Sequence, residues 1–188
     1  MSKLSIVIPV YFNEMNLNDL YIDLYEKVLS KLEAYELVFV DDGSQDASFD
    51  IIKDLESKDP NIKSLKLSRN FGSHAAILAG LNICTGDCAV MKTADLQEPS
   101  TMILDMYAKW QAGNNVVLAI RADREESFLQ KFFSNLYYRI IRRYVLKNMP
   151  LGGFDCFLID RKVIEVLRLM DEKNTSLMGQ ILWAGFKT

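Results

Sequence analysis

The sequence predicts an α/β fold in which a mostly parallel central sheet is covered by helices on both faces. Three observations predict it. Short apolar runs rich in β-branched residues alternate with stretches at helical spacing from Leu4 to Ile120. The runs are nearly continuous in their apolarity, as strands buried on both faces require. Clusters of unusual polar residues follow directly after them, where open parallel sheets bind ligands.

The elements follow in order. Leu4 to Val10 (LSIVIPV) is the first strand, and Asn16 to Lys31 places Leu17, Leu20, Leu24 and Val28, with Leu32 just after, at helical spacing. Leu37 to Val40 is a second buried strand ended by Asp41-Asp42-Gly43-Ser44, and Asp50 to Ser57 is a helix broken by Asp59-Pro60. Ile62 to Leu67 is a strand, Ala75 to Ile83 a helix and Asp87 to Met91 a strand. Ser100 to Trp110 is the next helix and Val116 to Ile120 the next strand. The chemistry is therefore expected just after Val10, Val40, Leu67 and Met91.

A chain of 188 residues with a 49% hydrophobic fraction suits one domain with a well-buried core. A formal net charge of −3 argues against a dedicated nucleic-acid binder. The three cysteines, Cys84, Cys88 and Cys156, are odd in number and lack a paired metal-ligand spacing, so they read as reduced, partly buried thiols of a cytosolic chain. Met1-Ser2-Lys3 runs straight into a strand pattern with no secretory signal. No apolar run reaches the roughly 18–20 residues that span a bilayer, so membrane contact within these residues is expected to be peripheral.

At the end of the second strand, adjacent Asp41 and Asp42 repel each other unless a ligand or cation uses them. Gly43 allows a sharp turn, and Ser44 or Asp46 can cap the following helix. After the third strand, Arg69 lies next to a helix start at Gly72-Ser73, a plausible phosphate site with Ser73 as N-cap. His74, the sole histidine, reads as a first-turn helix residue. After the fourth strand, Asp95 and Gln97 alternate on one side of an extended segment, so both oxygens can face one hard divalent cation, Mg²⁺ or Mn²⁺.

Together these segments resemble the family-2 glycosyltransferases with a GT-A fold, the nucleotide-diphospho-sugar transferase fold. The likeness is greatest to the polyprenyl-phosphate glycosyltransferases related to dolichyl-phosphate mannose synthase. The matching stretches are 5–14 (SIVIPVYFNE), 40–46 (VDDGSQD), 69–72 (RNFG) and 94–99 (ADLQEP), in the family's order and spacing. The resemblance implies that Pro9, Tyr11, Glu14 and Asp42 surround the nucleotide, with Arg69 and Gly72 beside it. It implies that Asp95, with Gln97, holds the cation on the sugar diphosphate. It further implies that Asp155 faces the sugar or acceptor and that Arg121 and Arg124 handle phosphate. Two departures stand out. Thr93 occupies the first position of the family's Asp-x-Asp, and Cys156-Phe157 follows Asp155 where relatives often have Phe-Arg.

The expected activity is inverting transfer of a sugar from a UDP- or GDP-sugar to a polyprenyl phosphate at the cytoplasmic membrane face. A bound cation would neutralise the departing diphosphate. A lipid phosphate is already an anionic nucleophile, whereas a saccharide hydroxyl, as in polysaccharide or capsule synthesis, needs a base, for which Asp155 is the candidate. A non-catalytic nucleotide-binding module, motivated by Thr93, is the reading from another class. The segment Phe128 to Leu146 repeats apolar pairs every four residues between Lys131, Arg139, Arg142 and Arg143, as a helix lying on an anionic membrane surface does. Residues 1–188 are thus expected to be a single catalytic domain, truncated before C-terminal membrane-associated segments, with a homo-oligomer possible.

Overall fold

The structure is a computed structural model that describes residues 2–120, 150, 154, 156–170 and 176–188. The elements are β1 (Leu4–Val10), α1 (Leu17–Lys27), a 3₁₀ turn (Leu29–Lys31), β2 (Tyr35–Asp41), α2 (Ser48–Lys58), β3 (Ile62–Lys66) and α3 (Ser73–Ile83). There follow β4 (Cys88–Met91), α4 (Met102–Gln111), β5 (Val116–Ala119), β6 (Cys156–Asp160), α5 (Arg161–Leu169) and α6 (Leu177–Trp183). The strands form one sheet in the order β3-β2-β1-β4-β6-β5. The pairs of β1 with β2, β1 with β4 and β2 with β3 are parallel.

Alternation along the strands divides the core between two faces. Ile6, Ile8, Leu37, Phe39 and Val90 point to one side, where α1, α2 and α4 bring Leu20, Leu24, Ile52 and Ile103. Val7, Val38, Val40, Ala89 and Ile159 point to the other, against Ala76 and Ile77 of α3, Val163 and Ile164 of α5 and Ile181 of α6. Leu24 and Phe39 are fully buried, and each such side chain contributes about 1.5–3 kcal/mol of transfer free energy. Helices on both faces of a mostly parallel sheet is the architecture the sequence predicts. The three cysteines are buried thiols outside any disulfide among the described residues. Among the described residues, no helix is long and apolar enough to cross a membrane.

Three local expectations are corrected. The helix predicted over Asn16 to Lys31 stops at Lys27: Val28 leaves the helical region with φ −128° and ψ −62°, and a 3₁₀ turn over Leu29–Lys31 follows, with Val28 and Leu29 both buried. The cap of α3 is Gly72, with Ser73 already the first helical residue. Helix α2 starts two residues before Asp50, with Asp46 accepting the Ser48 amide at 3.1 Å. In the sheet β5 is not the neighbour of β4. Between them runs β6, antiparallel to both. The elements β6, α5 and α6 were not anticipated, although Cys156 to Ile159 is an apolar run and Asp160 caps α5 by accepting the Lys162 amide at 2.9 Å.

Candidate functional site

Because β1 is hydrogen-bonded to both β2 and β4, the loop after β1 is flanked by the loops after those strands at the carboxyl edge of the sheet. The loops after β1, β2 and β3 are tied to one another by side chains. The Phe12 amide donates to Ser44 Oγ at 3.0 Å and the Asn13 amide to Ser48 Oγ at 2.9 Å. Glu14 accepts the Ala47 amide at 2.8 Å at the start of α2. Phe12 has φ of 54°, an uncommon conformation for an aromatic residue, held in place by these bonds.

The neighbouring carboxylates Asp41 and Asp42 do not confront each other. Successive strand residues face opposite ways, so Asp41 turns toward the α1/α2 side and Asp42 toward α3. Asp41 is fully buried; its Oδ1 accepts the Ser44 amide at 3.2 Å, while Oδ2 lacks a hydrogen bond and lies 3.6 Å from Lys66 Nζ. Asp42, 3% exposed, accepts the amides of Phe71 and Gly72, both at 2.8 Å. The repulsion expected from the sequence is therefore relieved by the chain's own amides and by Lys66. Gly43 closes the arrangement: its φ is 76°, and a Cβ there would come within 2.5 Å of the Arg69 carbonyl carbon. Side-chain volume is excluded at that point.

Around this locked frame the other predicted residues stay accessible. Pro9 is partly exposed near the end of β1, and Tyr11 is 46% exposed, edge-on to Phe12 with centroids 4.6 Å apart. Arg69 is exposed, with its guanidinium 4.1 Å from the Phe71 ring centroid. Gly72, with φ of 95°, opens α3, and no side chain caps the amides there. His74 sits exposed in the first turn of α3, where the sequence placed it. Asp95 is half-buried and Gln97 exposed. Arg121, Arg124, Asp155 and the basic helix expected at 128–146 lie outside the described residues.

The Asp95 loop is held from inside. Thr93 Oγ1 donates to Asp95 Oδ1 at 2.7 Å, and Lys92 Nζ donates to the Asp95 carbonyl oxygen at 3.5 Å. Lys92 is fully buried. Sequence reading missed this lysine, although period-two counting from Cys88 and Val90, which face the α1/α4 core, puts it on the same buried side. Ser44 and Ser48 were also missed as loop fasteners, and no sequence signal distinguishes them from ordinary turn hydroxyls.

A divalent cation fits what is here only in part. Asp95 supplies one carboxylate and Gln97 one amide oxygen, hard donors of the type Mg²⁺ and Mn²⁺ prefer. Among the described residues, no three His, Cys, Asp or Glu side chains converge.

Comparison with known proteins places this geometry. Residues 5–168 match the family described as Glycosyl transferase family 2. An uncharacterized glycosyltransferase of Bacillus subtilis, YkcC, is 39% identical over 184 residues, covering 97% of this chain and 57% of its own length. A prophage bactoprenol glucosyl transferase homolog of Escherichia coli is 35% identical over 187 residues, covering 99% of this chain and 61% of the relative. The chain therefore spans about three fifths of the length of these relatives. Among solved structures, the mannosyltransferase PcManGT of Pyrobaculum calidifontis, crystallised with GDP-Man and Mn²⁺, superposes with a TM-score of 0.70 at 17% identity, over 99% of this chain and 53% of that one. The likeness in structure is one of fold.

Proposed function

The chain belongs to glycosyl transferase family 2, with the GT-A fold, and from that premise we propose that it transfers a sugar from a UDP- or GDP-sugar to a polyprenyl phosphate. The observation that carries the donor half is the locked strand-end frame, in which Asp42, Ser44, Glu14 and Gly43 fix three loops while Tyr11, Arg69 and Asp95 stay accessible along one edge. The acceptor half is supported by the bactoprenol glucosyl transferase name of the Escherichia coli relative.

In this reading Pro9, Tyr11 and Glu14 border the nucleoside. Asp42 acts by holding Phe71 and Gly72, so that the uncapped start of α3 and the Arg69 guanidinium stand ready for the diphosphate. Asp95 and Gln97 hold a Mg²⁺ or Mn²⁺ ion, which when bound neutralises the charge that develops on the departing diphosphate. The acceptor phosphate is itself the nucleophile, so direct displacement with inversion needs no strong base. Arg121 and Arg124 are assigned to the acceptor phosphate, and Asp155 to the sugar or acceptor. The basic segment 128–146 is assigned to the cytoplasmic face of the membrane.

Calorimetric titration with UDP- and GDP-sugars, in Mn²⁺, Mg²⁺ or chelator, tests the donor half. Binding of one nucleotide class that depends on metal and is lost in Asp95→Ala is expected. Absence of binding to every nucleotide under every metal condition overturns it. For the acceptor half, Asp155→Asn should leave transfer to a short polyprenyl phosphate nearly unchanged; abolished transfer with donor binding intact would instead favour a saccharide hydroxyl.

A further inference from the structure

A lysine lies where strand alternation calls for an apolar residue. Lys92 follows Cys88 and Val90 on the face of β4 that packs against α1 and α4, and its side chain is fully buried. Its main-chain amide donates to the Val7 carbonyl at 3.0 Å, so the sheet fixes the point from which the side chain rises. Lysine is seldom buried to this degree, because its amino group leaves water and must be given partners. Here that group has one hydrogen bond, the 3.5 Å contact with the Asp95 carbonyl oxygen, and forms no ion pair among the described residues. The acid of the same loop does not serve it: Glu98 Oε2 is buried with no hydrogen bond. An apolar side chain of equal length would fill the same space and leave no donor short of an acceptor, so the fold gains no stability from this amino group. What it does secure is the main chain of Asp95. Thr93 Oγ1 holds the carboxylate of that residue at 2.7 Å and Lys92 holds its carbonyl, so the loop is anchored both within itself and from the core beneath.

Resting on the donor-site reading above, we propose that Lys92 is a positioning residue for sugar transfer, holding the loop after β4 from inside the core so that Asp95 meets the donor in one placement. Fully buried, it acts through Asp95 and touches neither donor nor acceptor. Its bond runs from a residue tied to β1 to the residue that the donor reading puts at the diphosphate, so loop and sheet move as one. A loop ordered before the donor arrives loses less conformational freedom on binding. The lysine lowers stability and raises affinity, and these opposite signs set it apart from a residue that serves the fold alone.

Lys92→Met keeps the length of the side chain and removes the donor, and three measurements on it read the proposal. Its urea midpoint is expected at or above that of wild type. Without nucleotide, amide exchange over residues 93–98 is expected to quicken about three- to tenfold, with the rates of β1 and β4 unchanged. In calorimetric titration with UDP and GDP in Mn²⁺, affinity for the nucleotide that wild type binds is expected to fall about three- to tenfold. A Lys92→Met protein that unfolds well below wild type, or does not fold, overturns the proposal, because the lysine then serves the fold. Unchanged exchange over 93–98 overturns it as well. Unchanged affinity overturns it while leaving the donor site standing. Failure of wild type to bind either nucleotide overturns both this proposal and the donor reading, and the wild-type titration tells the two failures apart.

Discussion

The Asp42 carboxylate accepts the Gly72 amide at 2.8 Å across 30 positions of sequence, which fixes the start of α3 relative to the end of β2. The bond is partly buried and charge-assisted, and the Phe71 amide makes a second one to the other oxygen. In Asp42→Asn one acceptor becomes a donor that faces an amide N–H. The expected loss is about 1.5–3 kcal/mol in urea denaturation. Because Arg69 and the first turn of α3 move with Gly72, nucleotide affinity should fall by at least about tenfold, measured calorimetrically.

Gly43→Ala tests the closest approach between loops. The new methyl would meet the Arg69 backbone at 2.5 Å, and the φ of 76° is unfavourable for any side chain. Left-handed conformation costs roughly 1–2 kcal/mol and overpacking about 1–3 kcal/mol, so a destabilisation of about 2 kcal/mol or more is expected by thermal or urea unfolding. Loss of nucleotide binding at temperatures where the variant is folded should accompany it.

At the opposite end of the sheet, Glu36 governs acid stability. Its side chain is 1% exposed and accepts from Ser5 Oγ at 2.6 Å, Thr85 Oγ1 at 2.9 Å, the Gly86 amide at 3.1 Å and the Thr85 amide, with Lys63 Nζ at 2.8 Å and Lys3 Nζ at 3.2 Å. Burial alone would raise its pKa, but Lys63, Ser5 and Thr85 outweigh that and hold the carboxyl far below the usual range. A depressed folded-state pKa gives stability that is fully present above the unfolded value of about 4.3 and is lost as pH falls below it, by up to about 1.4 kcal/mol per pH unit. Urea midpoints should therefore drop steeply between pH 4.5 and 2.5 in the wild type. Glu36→Gln should be less stable at pH 7 and show a shallower slope across that window.

The Arg69–Phe71 stack separates positioning from stability. Both side chains are exposed, so Phe71→Ala should cost less than about 1 kcal/mol in unfolding. If the ring holds the guanidinium for a diphosphate, nucleotide affinity should still fall several-fold, and titration of UDP and GDP checks this. An unchanged affinity would assign the stack to the surface alone.

Much of this architecture is legible in the sequence, because apolar strands and helical spacing record burial directly. The residues near the site were found as polar interruptions at strand ends, which is why Asp42, Gly72 and Asp95 were singled out together. What spacing does not carry is partnership. Asp41 and Asp42 look like a repelling pair until the strand turns them to opposite faces, and nothing in the spacing of Glu14 records its bond to the Ala47 amide at the start of α2. Lys92 was overlooked because a lysine is normally assigned to solvent, even where strand alternation carries it inward. The position of β6 was invisible because it pairs with a strand that precedes it by more than sixty residues, and short-range patterns hold no record of such pairing.

The placement of β6 between β4 and β5 has a consequence for biosynthesis. As the chain leaves the ribosome, Val116–Ala119 appears long before Cys156–Asp160, the strand it must pair with. Until then β4 is an open, apolar edge, because the four parallel strands can assemble without it being covered. Sheet closure waits on a strand distant in sequence and is a late, slow event. A nascent chain stalled between β5 and β6 would present Cys88–Met91 to any passing strand, which makes this interval the one in which the polypeptide most needs a chaperone.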